Sequence, residues 1–273
     1  MECGEGETSL DCISRQSLSQ FRKISNSHWD TTCLETNEGL YYTAAVTYYS
    51  RIRFVVDLLP LLQRAPALRR VVSVFNGTKE GHVDETDWSG VHLSLLRLRD
   101  HASSMMTLAL ESLAFEAPDV SFVHTFPGYV RTNLSKDVKT VSYSILRATF
   151  KVLAPLVTIP LAEAGERQLF FATSARFPAR SGVGVVDVAE TAGVPVSGNG
   201  STGGMSVAVG TDARKGSGVY SINSDGEPPS MRVLESLQKM RDDEVLQRAW
   251  AHTEEEFTRV TGSAFLVDRS LSR

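Results

Sequence analysis

Long apolar runs are missing from these 273 residues. The longest candidate, Leu153 to Leu161, is short and carries Pro155 and Pro160, well under the about 18 to 20 residues a membrane span requires. Clustered positive charge is missing too. The net charge is -4 and no group of Lys and Arg exceeds a pair, so the chain offers no field to draw nucleic acid. Cysteine is scarce: Cys3, Cys12 and Cys33 include no C-x-x-C pair, which argues against a disulfide framework or a zinc site. The first residues, Met1 to Glu7, are acidic, the reverse of a secretory signal. Together these absences lead to the expectation of a soluble, cytoplasmic protein without metal, membrane or nucleic-acid partners.

What is present is globular in composition, with 42% hydrophobic and 22% charged residues. Residues 1–35 lack sustained apolar periodicity and any Gly-rich turn after an apolar strand, and are expected to be a poorly ordered leader. From Thr36 or Asn37, as an N-cap, apolar residues recur at helical spacing through Leu40, Ala44, Ile52, Val56 and Leu59, which predicts a long helix kinked or ended near Pro60. Arg70 to Phe75 reads as a buried strand stopped by the turn dipeptide Asn76-Gly77. A second long helix is predicted over Leu93 to Glu116, then a strand over Val120 to His124 that breaks at Pro127-Gly128. Helix, strand, helix, strand is the rhythm of parallel α/β units. Further on, helices are predicted over Val141 to Val157 and Pro160 to Thr173, a flexible Gly-rich connection at Gly198 to Gly204, strand-like runs at Val207 to Val209 and Gly218 to Ile222, and a helical stretch over Met231 to Val260. Residues 36–262 are taken as the domain and 263–273 as a tail.

Four pieces in order carry a resemblance. Thr36 to Leu40 with Leu58-Leu59-Pro60-Leu61-Leu62, the strand Arg69 to Val74, the helix around His101 to Ala114, and Pro127-Gly128-Tyr129-Val130-Arg131-Thr132 resemble successive parts of a short-chain dehydrogenase/reductase. With Gly218 to Ile222 and Trp250 to Phe257, the chain looks like a divergent fungal group associated with secondary metabolism. The resemblance implies an incomplete Rossmann-type parallel sheet flanked by helices, an NAD- or NADP-dependent oxidoreductase acting on a ketone or alcohol, and homo-oligomers through the two long helices. It also implies that Pro127, Gly128 and Thr132 meet the nicotinamide end of the cofactor. The family's catalytic asparagine, serine, tyrosine and lysine fall on Thr47, Asn76, Arg99 and Ser103, none of the expected type. The Gly-rich phosphate turn that such a cofactor needs, so that backbone amides can approach the pyrophosphate, has no counterpart before Thr36.

The residues themselves offer weaker candidates. His101 in the second helix is an acid/base candidate with Asp100 beside it, against the plainer reading of a buried histidine satisfied by backbone. Tyr48 and Tyr49 could donate a phenolic proton, yet such aromatic stripes more often pack against a neighbouring helix. Asn76-Gly77-Thr78 could hold a substrate oxygen or be a tight turn alone. Three functions are left open: the oxidoreductase, a cofactor-free isomerase, cyclase or dehydratase in the same small-molecule pocket, and a non-catalytic remnant or binding protein.

Overall fold

The computed structural model describes residues 35–130, 158–182 and 206–264. Most of the expected leader, the expected helix at 141–157, the run from Gly198 to Gly204, Thr132 and the tail beyond residue 264 lie outside the described residues. The chain divides into two units. In the smaller, β3 (Tyr129–Val130) pairs in parallel with β4 (Thr158–Ile159). The larger unit holds the main sheet and the helices that cover it.

Three short strands, β1 (Arg70–Val74), β2 (Ser121–Thr125) and β5 (Val219–Ile222), form a parallel sheet in the order β1-β2-β5. All residues of β2 and β5 are buried, as expected for strands covered on both faces. The architecture is therefore α/β, a parallel sheet flanked by helices and consistent with an incomplete Rossmann-type fold. The register places Ser73, His124 and Ser221 side by side across the three strands.

Helix α2 (Leu95–Glu116) lies at the centre of the core, with every residue from Ser103 to Ala114 buried. A helix buried all round must satisfy its polar side chains internally. Ser104 exchanges hydrogen bonds with the backbone of Gly81, donating to its carbonyl at 2.6 Å and accepting from its amide at 2.9 Å. Glu111 receives the Arg241 guanidinium at 2.9 Å, although burial still raises its pKa above the ordinary carboxylate value.

Helix α1 (Ser50–Arg64) precedes β1 and runs through Pro60 to end one turn later. The helix does not start at Thr36 as its sequence suggests. The Thr36 hydroxyl instead accepts from the Leu40 amide at 3.2 Å, closing a turn in which Gly39 takes φ 72°, and helical structure begins at Tyr42. Between Tyr42–Ala44 and α1, residues Ala45–Tyr49 form a π-helical turn. Beside β1, α1 exposes Phe54, Leu58 and Leu61 along an apolar groove that also includes Val71.

Helix α3 (Leu161–Thr173) matches its expected span to one residue. The predicted strand at Val207 to Val209 is reduced to one antiparallel bridge between Val209 and Lys215. The single helical stretch expected over 231–260 is two helices, α4 (Met231–Asp242) and α5 (Val245–Thr261). They break at Glu244, whose φ of 59° is left-handed and cannot continue a right-handed helix.

Candidate functional site

Ligands bind to open parallel sheets outside the carboxyl ends of the strands, and here that edge is crossed by the chain leaving β1. The Phe75 amide donates to the Thr125 carbonyl at 2.8 Å, the last step of the ladder. The chain then turns, with the Lys79 amide donating to the Asn76 carbonyl at 3.2 Å. Gly77 lies so close to the ends of β2 and β5 that a Cβ there would overlap the His124 carbonyl oxygen and sit 2.6 Å from that of Ile222. Thr78 takes φ 67°, in the left-handed region where a β-branched residue is strained.

Beneath this turn lies a buried polar network built on the side-by-side residues of the sheet. The Asn76 amide donates to His124 Nε2 at 3.1 Å, so a neutral His124 carries its proton on Nδ1. Nδ1 lies 2.8 Å from Thr107 Oγ1, and Thr107 donates to Glu80 Oε1 at 2.7 Å. From the other side, the Thr78 amide donates to Ser221 Oγ at 2.7 Å, and Ser221 donates to the same Glu80 oxygen at 2.5 Å. The side chains of His124 and Glu80 are fully buried. Ser73, the third of the row, donates to the Met106 sulfur at 3.5 Å.

Asn76 is thus placed at the carboxyl edge, and its carbonyl accepts from Ser103 Oγ at 2.6 Å. Asn76 and Ser103, the positions that the resemblance gives to a serine and a lysine, therefore meet. Arg99, at the tyrosine position, is exposed and pairs with Asp100 at 2.6 Å; Thr47, at the asparagine position, donates to the Thr43 carbonyl at 2.7 Å. Pro127 and Gly128 follow β2 after Phe126, with Gly128 at φ 79°. The Phe126 amide donates to the Ile222 carbonyl at 2.9 Å, and Lys79 Nζ lies 5.4 Å from the centre of the Phe126 ring. Turn and Pro-Gly loop are neighbours at one edge.

The remaining candidates cluster elsewhere. His101 accepts from the Asp84 amide at 3.1 Å through Nδ1 and meets the Trp88 carbonyl at 3.0 Å through Nε2. Both ring nitrogens are thus engaged by backbone, and burial lowers its pKa. Tyr48 and Tyr49, both in the π-helical turn, reach helix α5. The Tyr48 hydroxyl bonds Thr253 at 2.6 Å and that of Tyr49 bonds His252 Nε2 at 2.7 Å. Burial raises both phenols, Tyr49 to about 12. Trp88 stacks on His252 with ring centres 5.3 Å apart, so His101, Trp88, His252 and Tyr49 form one chain of contacts, apart from Asn76 and Pro127.

His124, Glu80, Thr107 and Ser221 escape a reading of the sequence. One sign was available: a histidine and a serine each interrupt a short strand buried on both faces, where an unpaired polar group is costly. Among the described residues no group of His, Cys, Asp and Glu is placed to hold a metal ion, and no helix is long and apolar enough to cross a membrane.

No family model matches the chain. It is similar to an oxidoreductase of Emericella nidulans, 37% identical over 81% of this chain and 62% of that protein. An oxidoreductase of Emericella variicolor is 33% identical over 84% of this chain and 64% of its own length. A short-chain dehydrogenase/reductase of Stachybotrys chartarum is 28% identical over 80% of this chain and 58% of its own. The chain therefore spans less than two thirds of the length of these curated relatives.

Proposed function

We propose that this chain, a relative of fungal oxidoreductases that include a short-chain dehydrogenase/reductase, carries the substrate end of a nicotinamide-dependent oxidoreductase acting on a ketone or alcohol of a secondary metabolite. The observation that supports this reading is the placement of two loops, Asn76 to Lys79 and Phe126 to Gly128, side by side at the carboxyl edge of a parallel sheet.

The described residues fit one end of such a cofactor. The half-buried backbone of Pro127 and Gly128, with Gly128 in a conformation that glycine tolerates best, suits the carboxamide of a nicotinamide ring. Among the described residues no Gly-rich turn joins a strand to a helix, so they supply no pyrophosphate cradle. When bound, the cofactor supplies or takes up the hydride. Our reading gives this chain's residues the substrate oxygen: Lys79 Nζ, held beside Phe126, donates a hydrogen bond to it, and Asn76 orients it from the first position of the turn. The empty tyrosine and lysine roles at Arg99 and Ser103 favour a second reading, a cofactor-free isomerase or dehydratase at the same edge.

Thermal unfolding of the purified protein in NADPH and in NADH, each up to millimolar concentration, separates the two. A nucleotide at a hundred times its Kd adds about 2.7 kcal/mol of stability, worth several degrees in Tm. A rise of that kind supports the oxidoreductase. No shift with either nucleotide, with a carbonyl or alcohol substrate still converted, supports the cofactor-free enzyme.

A further inference from the structure

We propose that Glu80 is a positioning residue, the anchor of two hydrogen-bonded arms that hold the turn Asn76 to Lys79 in a strained form at the edge of the site. The inference rests on the oxidoreductase reading, because it is that reading that makes the turn part of a substrate site.

The direction of every bond in the network is set by two fixed donors, the backbone amides of Asn76 and Thr78. A backbone N–H can only donate. His124 Nε2 must therefore accept, its proton resides on Nδ1, and that proton goes to Thr107 Oγ1. The Thr107 hydroxyl then has its own proton left for Glu80 Oε1. On the second arm Ser221 Oγ accepts from Thr78 and donates to the same Glu80 oxygen. Two amides of one turn, two residues apart, are thus drawn inward by opposite routes to a single carboxylate.

Three features set this arrangement apart from ordinary core satisfaction. The residue held by the Ser221 arm is Thr78, whose left-handed backbone is unfavourable for a β-branched side chain and needs surroundings that dictate it. Gly77 is pressed against two strand ends, so the turn cannot relax towards the sheet. Glu80 spends its burial on one oxygen: Oε2 is buried without a hydrogen-bond partner among the described residues. A carboxylate placed only for stability would be poorly chosen here, since an apolar side chain would avoid that desolvation. As the common acceptor of both arms, the same carboxylate keeps the turn at one spacing from Phe126 and Pro127. Such preorganisation keeps polar groups at a binding edge aligned before a ligand arrives.

The test is amide hydrogen exchange and histidine 15N NMR on the full chain and on Thr107→Val, Thr107→Ser, Ser221→Ala and Glu80→Gln. The wild-type His124 ring should carry its proton on Nδ1. Thr107→Val should speed exchange of the Asn76 amide on the order of ten-fold and change the His124 tautomer, leaving Thr78 protected. Ser221→Ala should do the reverse. Thr107→Ser, which keeps the hydroxyl, should restore the wild-type pattern and serves as the folded control should Thr107→Val prove unstable. Glu80→Gln, whose amide oxygen still accepts from both hydroxyls but without the charge, should loosen both amides together and by less than the loss of either hydroxyl loosens its own arm. A proton on Nε2 in the wild type, or equal acceleration at Ser121 and Phe122, whose amides donate to the chain at the starts of β1 and β5, overturns the proposal. So does a Thr107→Val protein with a loosened turn and unaltered affinity for whichever of NADPH and NADH the wild type binds. A wild type with the expected exchange pattern that takes up no nicotinamide nucleotide overturns the oxidoreductase reading and leaves the two arms standing.

Discussion

Replacing Gly77 by alanine adds one methyl group where the structure has least room for it. The new Cβ would overlap the His124 carbonyl oxygen and lie 2.6 Å from the Ile222 carbonyl oxygen. Both belong to the backbone of strands β2 and β5, so neither can swing aside as a side-chain tip would. Overpacking in well-packed regions costs about 1–3 kcal/mol, and an obstacle made of backbone belongs at the upper end. Alanine returns about 0.4–1 kcal/mol by restricting the unfolded chain, leaving a net loss of about 2 kcal/mol. At roughly 2–4 °C per kcal/mol for a large domain, Tm should fall by about 4–8 °C. The control is Gly165→Ala in the exposed part of α3, where an added Cβ meets nothing within 4 Å; there alanine should gain about 0.5–1 kcal/mol from helix propensity. Urea titration of both variants gives the midpoint and slope needed to compare them. A Gly77→Ala protein within about 0.5 kcal/mol of wild type, the scatter of an ordinary surface change, would refute the close approach of the turn to the sheet.

Two further outcomes are expected of the same structure. Burial depresses the pKa of His101 below its ordinary 6.5, against the pull of the Trp88 carbonyl, Asp87 and Asp84 and with the help of His82. A depressed histidine contributes its stability above pH 6.5 and loses it as the pH falls through the folded value, because the unfolded chain binds the proton first; the urea midpoint should drop between pH 7.5 and 5.5, and His101→Gln should flatten that drop, while an unchanged pH slope in the variant would contradict the assignment. Glu244, left-handed and exposed between α4 and α5, should gain from Glu244→Gly: relief of about 1–2 kcal/mol of strain, less about 0.5–1 kcal/mol of chain entropy, leaves a stabilisation of about 0.5–1 kcal/mol. Calorimetric Tm reads it directly, and a lower Tm would count against the left-handed break.

The sheet was legible in the sequence because β1, β2 and β5 are short, rich in valine, phenylalanine and isoleucine, and bounded by Asn-Gly, Pro-Gly and Gly signals. Helix α2 was legible for a similar reason: its apolar periodicity is long and Pro118 marks its end. The two loops were legible as the Asn-Gly and Pro-Gly breaks after β1 and β2, and the parallel pairing of those strands brings them to one carboxyl edge. What was not legible depends on distant pairing. Ser221 reaches Glu80 across 141 residues, and only the register Ser73–His124–Ser221 reveals that three ordinary polar residues share a level. Glu80 itself sits in a stretch crowded with Lys79, Asp84, Glu85 and Asp87, where composition suggests a solvated loop. The break at Glu244 was missed because nothing in the local pattern of Asp242-Asp243-Glu244 signals a left-handed residue as glycine would.

The π-helical turn at Ala45–Tyr49 amounts to one surplus residue in an otherwise regular helix. Each residue of an α-helix advances the face by about 100°, so the surplus resets the phase between the helical segments on its two sides. Upstream and downstream halves are then two separate amphipathic readings of one rod, and no single heptad-like template fits both. Deleting one residue within Ala45–Tyr49 would splice the halves into a continuous α-helix. The cost would be rotational: either Tyr48 and Tyr49 turn away from Thr253 and His252, or Ile52, Val56 and Leu59 turn out of the core. An insertion or deletion at that point is thus a change of angle rather than of length, and a one-residue gap there between relatives would carry structural meaning.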